Sequence, residues 1–183
     1  MKATTKTKSN VRLSAPRSGN SSAARTDEAS LSANRQIRSI LVPIDFSEPS
    51  KEALKAAAGF ARQFGAKLTL LNVVEPVATP DFAYFPLVME NDKVIARCKQ
   101  ELEKLTNSEG IEPALVEKTL VRNGVPFKEI TSAARTLKVD LIVISTHGYT
   151  GLAHVFIGST AERVVRHAHC PVLVVRAQER DLD

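Results

Sequence analysis

From Ile37 onward, the chain alternates short aliphatic runs with longer amphipathic stretches. Five runs are rich in β-branched and other aliphatic residues, at residues 37–44, 68–74, 114–121, 140–144 and 171–175. Most are continuous rather than alternating, which is typical of parallel strands covered on both faces. The run at 114–121 alternates more, which predicts a strand with one solvated face near the sheet edge. The last run is also expected at an edge.

Four amphipathic stretches follow the first four strands, at residues 47–65, 89–110, 126–138 and 159–169. The first has a favourable N-cap at Ser47, Pro49 in its first turn, and Gly65 where it should end. Strands alternating with helices predict an α/β fold, a doubly wound five-stranded parallel sheet with helices on both faces. Ligands of such sheets bind beyond the carboxyl ends of the strands, where the strand order reverses. The loops after the first and fourth strands are therefore the candidate site.

The N-terminal segment has a different composition. Residues 1–36 are rich in Ser, Thr, Ala and basic residues and nearly lack large aliphatic side chains. Such a segment cannot bury enough apolar surface to offset an ordering cost of about 1–2 kcal/mol per residue. We therefore predict a disordered basic tail over 1–36, a folded domain over 37–177 and a short tail over 178–183. The composition of the first tail also fits an organellar transit peptide, although a solvated tail is the simpler interpretation.

The charge distribution argues against a nucleic-acid partner. The net charge is +5, and the first 36 residues, with seven basic and two acidic side chains, account for all of it. The folded part therefore has no basic excess with which to follow a phosphate backbone. No run reaches 18 apolar residues, so we expect no membrane span.

The cysteines and histidines indicate neither a disulfide scaffold nor a metal site. Cys98 and Cys170 lie far apart and form no CxxC pair, which favours a reducing, cytoplasmic location. His167 and His169 lie beside Cys170, but no second cluster completes a tetrahedral site, and we expect no metal there.

The stretch STHGYTGLAHVFIGSTAERVV (145–165) places three of the chain's eight glycines between a strand and a helix. Glycine admits positive φ and close approach of a ligand, and a helix N-terminus offers N–H groups and partial positive charge to a phosphate. The hydroxyls of Ser159 and Thr160 would add hydrogen bonds or merely cap the helix. Spacing alone equally fits glycines that serve only turn geometry. The pattern GxxxxGK[ST] is absent, so this is not a Walker A loop.

Two stretches resemble the universal stress protein family. Residues 145–176 resemble its C-terminal signature, and residues 40–61 resemble its first strand and helix. The similarity covers about residues 37–177 and implies a Rossmann-like fold of the adenine nucleotide alpha hydrolase type. Nucleotide-binding members carry Gly-x-x-Gly, nine residues, then Gly followed by Ser or Thr. This chain has the same spacing, with the first glycine replaced by Ser145.

That replacement has two possible consequences. If Ser145 must adopt positive φ, strain of about 1–2 kcal/mol would weaken binding about tenfold. If the backbone is extended, serine is tolerated.

The resemblance implies that the ligand is ATP, alone or with Mg²⁺. Val42, Pro43 and Ile44 would flank the adenine. Asp45 would face the ribose or a metal, or would serve only as a turn residue before the first helix. Val73 would pack on the base, unless it is a plain core residue. The remaining nucleotide-binding residues would be Ser145, Thr146, His147, Gly148, Gly158, Ser159, Thr160 and Ala161.

The expected function is an ATP-binding stress-response module that acts as a regulatory or interaction protein. By the same resemblance it forms a homodimer through the last strand and has a protein partner of unknown identity. One alternative is a dimeric stress protein that binds no nucleotide. Another is a slow ATPase, for which Asp45 and His147 are the groups available to position water. The chain lacks a GxSxG elbow and an SGGxDS-like loop, so we predict no catalytic residues.

Overall fold

The structure, a computed structural model, describes residues 36–75, 91–146 and 157–176. The tail predicted over 1–36 lies outside these residues apart from Gln36, as does the tail predicted over 178–183. Within the described residues the chain forms five strands, four helices and one 3-10 turn. In chain order these are β1 (Ser39–Pro43), α1 (Glu48–Phe64), β2 (Lys67–Val74), α2 (Asn91–Ser108), the 3-10 turn (Pro113–Leu115), β3 (Val116–Asn123), α3 (Pro126–Leu137), β4 (Leu141–Ser145), α4 (Ser159–His167) and β5 (Val172–Val175).

The five strands form one parallel sheet in the order β3-β2-β1-β4-β5. The chain runs outward from β1 to β3 and then returns to place β4 on the other side of β1. The strand order therefore reverses between β1 and β4. This confirms the predicted doubly wound α/β fold, and it confirms that β3 and β5 are the edge strands.

Alternate residues of each strand enter two separate cores. Ile40, Val42 and Ile44 belong to the core on the side of α1 and α2, whereas Leu41 and Ile142 belong to the core on the side of α3 and α4. Each such side chain contributes about 1.5–3 kcal/mol when it is fully buried. Helices therefore cover both faces, and this explains why most successive residues of β1, β2 and β4 are buried.

The ends of α1 follow the local sequence. The Ser47 side chain accepts a hydrogen bond from the N–H of Ser50, and Gly65 ends the helix in the left-handed conformation with φ 66°. Both ends were predicted. The prediction for α4 was wrong by two residues, since the helix ends at His167 rather than at residue 169. The chain leaves the helix at Ala168, whose backbone is extended, and reaches β5 at Val172.

Candidate functional site

A cleft of about 310 Å³ opens at the carboxyl edge of the sheet, where the strand order reverses. The carboxyl ends of β1, β2 and β4 and the first turns of α3 and α4 border it. This is the place that the doubly wound topology predicts for a ligand.

One side of the cleft is an apolar wall. It consists of strand residues that belong to the α3 and α4 face of the sheet, together with the start of α3. These residues are Pro43, Leu71, Val73, Ile144, Pro126 and Ile130. A flat apolar surface of this kind suits a nucleobase, whose faces are poorly hydrated.

A polar rim adjoins this wall at the junction of β4 and α4. It is formed by the hydroxyl side chains of Ser145, Thr146, Ser159 and Thr160, with Gly158 and Ala161 beside them. The N-cap of α4 is Gly158, and no side chain of the described residues caps this helix. The N–H groups of the first turn have no partner within the helix, and the helix dipole places partial positive charge there.

The backbone of Gly158 differs from the expectation that glycines of this loop adopt positive φ. Its φ is −64° and its ψ is 152°, which any residue can adopt. Its N–H donates to the carbonyl oxygen of Thr146 at 2.6 Å. Glycine is therefore useful here because it places no side chain at the rim. One amide of the motif, that of Gly158, is already hydrogen-bonded within the protein.

Ser145 occupies ordinary extended backbone. It is the last residue of β4, pairs in register with Val175, and is 8% exposed. Among the described residues, only Phe46 and Lys138 are non-glycine residues with positive φ. The serine therefore causes no backbone strain. This favours the interpretation that serine is tolerated here, over the one in which strain weakens binding.

Asp45 both closes a turn and borders the cleft. Its Oδ1 accepts hydrogen bonds from the N–H of Ser47 at 3.1 Å and from the hydroxyl of Ser47 at 2.5 Å. The next residue, Phe46, has φ 65°, and its half-buried ring packs against the core on the α1 side. The two interpretations of Asp45, turn residue and ligand contact, are therefore compatible.

The cleft brings together most of the sequence-predicted site residues, but not all. Val42 is fully buried in the core on the α1 side and does not line the cleft. It is adjacent to Pro43 in an extended strand, so its side chain points to the opposite face. Ile44 lines the cleft although only 2% of it is exposed. His147 and Gly148 lie outside the described residues.

The sequence interpretation missed several cleft residues that the fold brings in from other segments. They are Ser50, Leu71, Glu75, Pro126, Ile130 and Ile144. Glu75 could have been found from strand periodicity, because it is two residues beyond Val73. The residues of α3 could not, because their approach depends on the strand order.

The titratable groups of the cleft lining are two carboxylates, Asp45 and Glu75, and the part of the lining that the structure describes has no Lys or Arg. In the described ranges, no group of three His, Cys, Asp or Glu residues could hold a metal ion. His167 is held by contact between its Nδ1 and the carbonyl oxygen of Arg163 at 2.8 Å. No helix of the described ranges is both long and apolar enough to cross a bilayer.

Comparison with known proteins shows which family this chain is similar to. The model of the universal stress protein family matches residues 36–176. A universal stress protein of Methanocaldococcus jannaschii is 36% identical over 147 residues, which cover 79% of this chain and 85% of that protein. The solved structure of the universal stress protein UspA from Lactobacillus plantarum is 30% identical, with a TM-score of 0.67, and the match covers 77% of this chain and 99% of that chain.

A third comparison concerns a ligand complex. A crystal structure of a universal stress protein in complex with cAMP has a TM-score of 0.57 and is 20% identical, and the match covers 78% of this chain and 99% of that one. At this identity the similarity establishes a shared fold.

Proposed function

The chain belongs to the universal stress protein family, and we propose that it is a stress-response module that binds ATP in the cleft between β1 and β4. The observation that carries the proposal is the pairing of an apolar wall with a polar rim at the uncapped start of α4. The wall suits the adenine, and the rim suits the phosphates. A family member with the same fold has been crystallised with cAMP.

The residues of the cleft can be assigned to parts of the ligand. Pro43 and Val73 would contact the base, and Asp45 would contact the ribose. The hydroxyls of Ser145, Thr146, Ser159 and Thr160 and the first-turn amides of Ser159, Thr160 and Ala161 would bind the phosphates. Because the described lining has no basic side chain, a magnesium ion would balance the phosphate charge. Asp45 would face this ion as the alternative to the ribose, since carboxylate oxygen is a ligand that the ion prefers.

ATP occupancy would change the shape or partner choice of a homodimer in the cytoplasm. β5 is a half-buried edge strand that pairs with β4 on one side, and an edge of this kind can pair with a second chain. The dimer through β5 is thus part of the proposal.

One observation favours a second candidate function, a family member that binds partners without nucleotide. The amide of Gly158 is already bonded to Thr146, so fewer main-chain donors remain than the motif alone suggests. Thermal unfolding with and without Mg-ATP separates the two candidate functions.

The experiment is thermal unfolding of the full chain with and without Mg-ATP, with GTP and AMP for comparison. A ligand at a hundred times its Kd stabilises the folded state by about 2.7 kcal/mol, which gives a clear rise in Tm. A Tm unchanged at millimolar Mg-ATP would overturn the ATP proposal and favour the nucleotide-free function. Phosphate release by the same sample would test the slow ATPase.

A further inference from the structure

Glu75 is the one carboxylate of the cleft wall that has no role in the turn before α1. It follows β2 directly, on the same side of the strand as Leu71 and Val73, because residues two apart in a strand share a face. All three residues line the cleft. Glu75 therefore borders the apolar wall at the carboxyl end of β2.

The backbone beneath Glu75 is firmly placed. The carbonyl oxygen of Val74 accepts a hydrogen bond from the N–H of Gly124 at 3.0 Å. Gly124 has φ 146°, a backbone conformation that favours glycine over residues with a side chain. The residue after Glu75 is Pro76, which restricts Glu75 itself to extended backbone.

The neighbouring basic side chain is directed elsewhere. Arg122 pairs in register with Val73, but its guanidinium lies 3.5 Å from the Glu129 carboxylate and from the Ser132 hydroxyl. Within the described residues no ion pair or hydrogen bond involves the Glu75 carboxylate. It is an exposed acceptor at the edge of an apolar surface.

The orientation of a bound nucleotide follows from the two ends of the cleft. The phosphates belong at the start of α4, where the charge of the helix end is favourable, and away from the carboxylate of Glu75. The ribose then lies near Asp45. In a purine, the edge that carries the 6-substituent is opposite the bond to ribose, so this edge faces the end of β2.

We propose, on the basis of the proposed function above, that the Glu75 carboxylate accepts a hydrogen bond from the 6-amino group of the base and so selects adenine nucleotides. The acceptor gives no such bond to a purine that lacks this amine. A carbonyl at the same position would face the carboxylate with its own negative end. Glu75 is thus a specificity-determining residue.

The test is titration calorimetry of the full chain, in the presence of Mg²⁺, with ATP and with the triphosphate of purine riboside, which lacks only the amine. Because removal of the Glu75 charge also lessens its repulsion of every anionic ligand, the readout is the ratio of the two Kd values. We expect the wild type to bind ATP about tenfold more tightly than the analogue, as a hydrogen bond to a charged acceptor would give. The triphosphate of N6,N6-dimethyladenosine, which keeps the nitrogen and lacks its hydrogens, should bind as weakly as the purine analogue.

Three variants make the assignment specific to Glu75. Glu75→Ala should bring the ratio close to one. Glu75→Gln keeps an oxygen acceptor and should preserve part of the preference. Glu117→Ala, which removes an exposed carboxylate on β3 away from the cleft lining, should keep the wild-type ratio.

Each contrary result has a distinct meaning. Binding of ATP with the same ratio in wild type and Glu75→Ala would overturn the role of Glu75 and leave the proposed function intact. A wild-type preference for GTP that Glu75→Ala abolishes would show that the carboxylate reads the N1 and 2-amino donors of guanine, which also overturns the assignment. Absence of binding for all these ligands would overturn the proposed function, and the role of Glu75 with it.

Discussion

Helices α1 and α4 begin at the same edge of the sheet, after the neighbouring strands β1 and β4, but their first turns are completed differently. At α1, the side chain of Ser47 accepts from the N–H of Ser50, and the hydroxyl of Ser50 donates to the carbonyl oxygen of Ser47. At α4, the N-cap is Gly158 and lacks a side-chain acceptor. The first helix start is satisfied by its own side chains, whereas the second can accept a ligand.

Under the proposed function, one of these helix starts contributes to stability and the other to binding. Both helix starts offer N–H groups and partial positive charge. The local sequence decides which of them is available: SEPS supplies its own acceptor, and IGST does not. The following predictions test this contrast, in order of decreasing effect.

The largest effect is expected for Gly158→Asp, which gives α4 the side-chain acceptor that it lacks. The backbone of Gly158 tolerates any residue, and Asp is a favourable N-cap, so the free energy of unfolding should stay the same or rise by a few tenths of a kcal/mol. Like charges about 4 Å apart near a surface repel by about 4 kcal/mol, so the affinity for Mg-ATP should fall at least about a hundredfold. Calorimetry and urea unfolding measure the two quantities.

Gly59→Asp is the matched control for that substitution. Gly59 lies on the exposed side of α1 with no atom near the position of a Cβ. The Gly59→Asp substitution adds the same charge outside the cleft lining and should leave the affinity for Mg-ATP unchanged. Wild-type affinity in Gly158→Asp would show that the phosphates do not bind at the start of α4.

The next effect concerns stability. Ser47→Ala removes the cap of α1 and should lower the free energy of unfolding by about 1 kcal/mol. Ser159→Ala, at the first residue of α4, removes a hydroxyl that does not cap its own helix. This substitution should change the free energy of unfolding by less than about 0.5 kcal/mol. Urea unfolding of both variants measures the difference, and equal losses would contradict the contrast between the two helix starts.

A smaller effect is expected for Ser145→Gly, which restores the glycine of the family motif at the end of β4. Ser145 is extended, so glycine relieves no strain and should cost about 0.5–1 kcal/mol of stability. Because this substitution also removes one of the four rim hydroxyls assigned to the phosphates, the Kd for Mg-ATP should rise about threefold. A tenfold gain in affinity would show instead that bound ATP requires a backbone that serine resists.

The smallest effect lies at the other end of α1, where Arg62 forms three hydrogen bonds to Glu112. The hydrogen bond from Arg62 holds the pKa of Glu112 below its ordinary value. A lowered carboxyl pKa stabilises the folded state above the ordinary pKa, and the gain is lost as pH falls through the lowered pKa. Both groups are exposed, so the gain is small.

Glu112→Gln measures that contribution. The Tm of the wild type should exceed that of the variant slightly at neutral pH, and the two should converge as the solution is acidified below the lowered pKa. A difference that persists in acid would show that packing, and not the charge of Glu112, is responsible.

Much of the fold could be predicted because its signals are local. The aliphatic runs gave the strands, Ser47 and Gly65 gave the ends of α1, and the alternation of strands and helices gave the doubly wound sheet. The site was less accessible, because it depends on where a strand points and which segments meet. Val42 was predicted to flank the adenine with Pro43 and Ile44, but it lies in the core on the α1 side, and only its two neighbours line the cleft.

Other parts of the site depend on the assembled fold alone. Pro126 and Ile130 reach the cleft only because β4 returns beside β1. The extended backbone of Gly158 follows from its bond to Thr146, which joins residues on either side of the loop. Neither fact has a signal within a few residues of sequence.

The left-handed turn at Phe46 has a consequence for how the cleft meets a ligand. Such a backbone costs a bulky residue about 1–2 kcal/mol, and the ring is held in place by the interior beneath α1. The direction of the preceding carboxylate is therefore set when the chain folds and before any ligand arrives. The Asp45 side of the cleft is therefore preformed for a ligand.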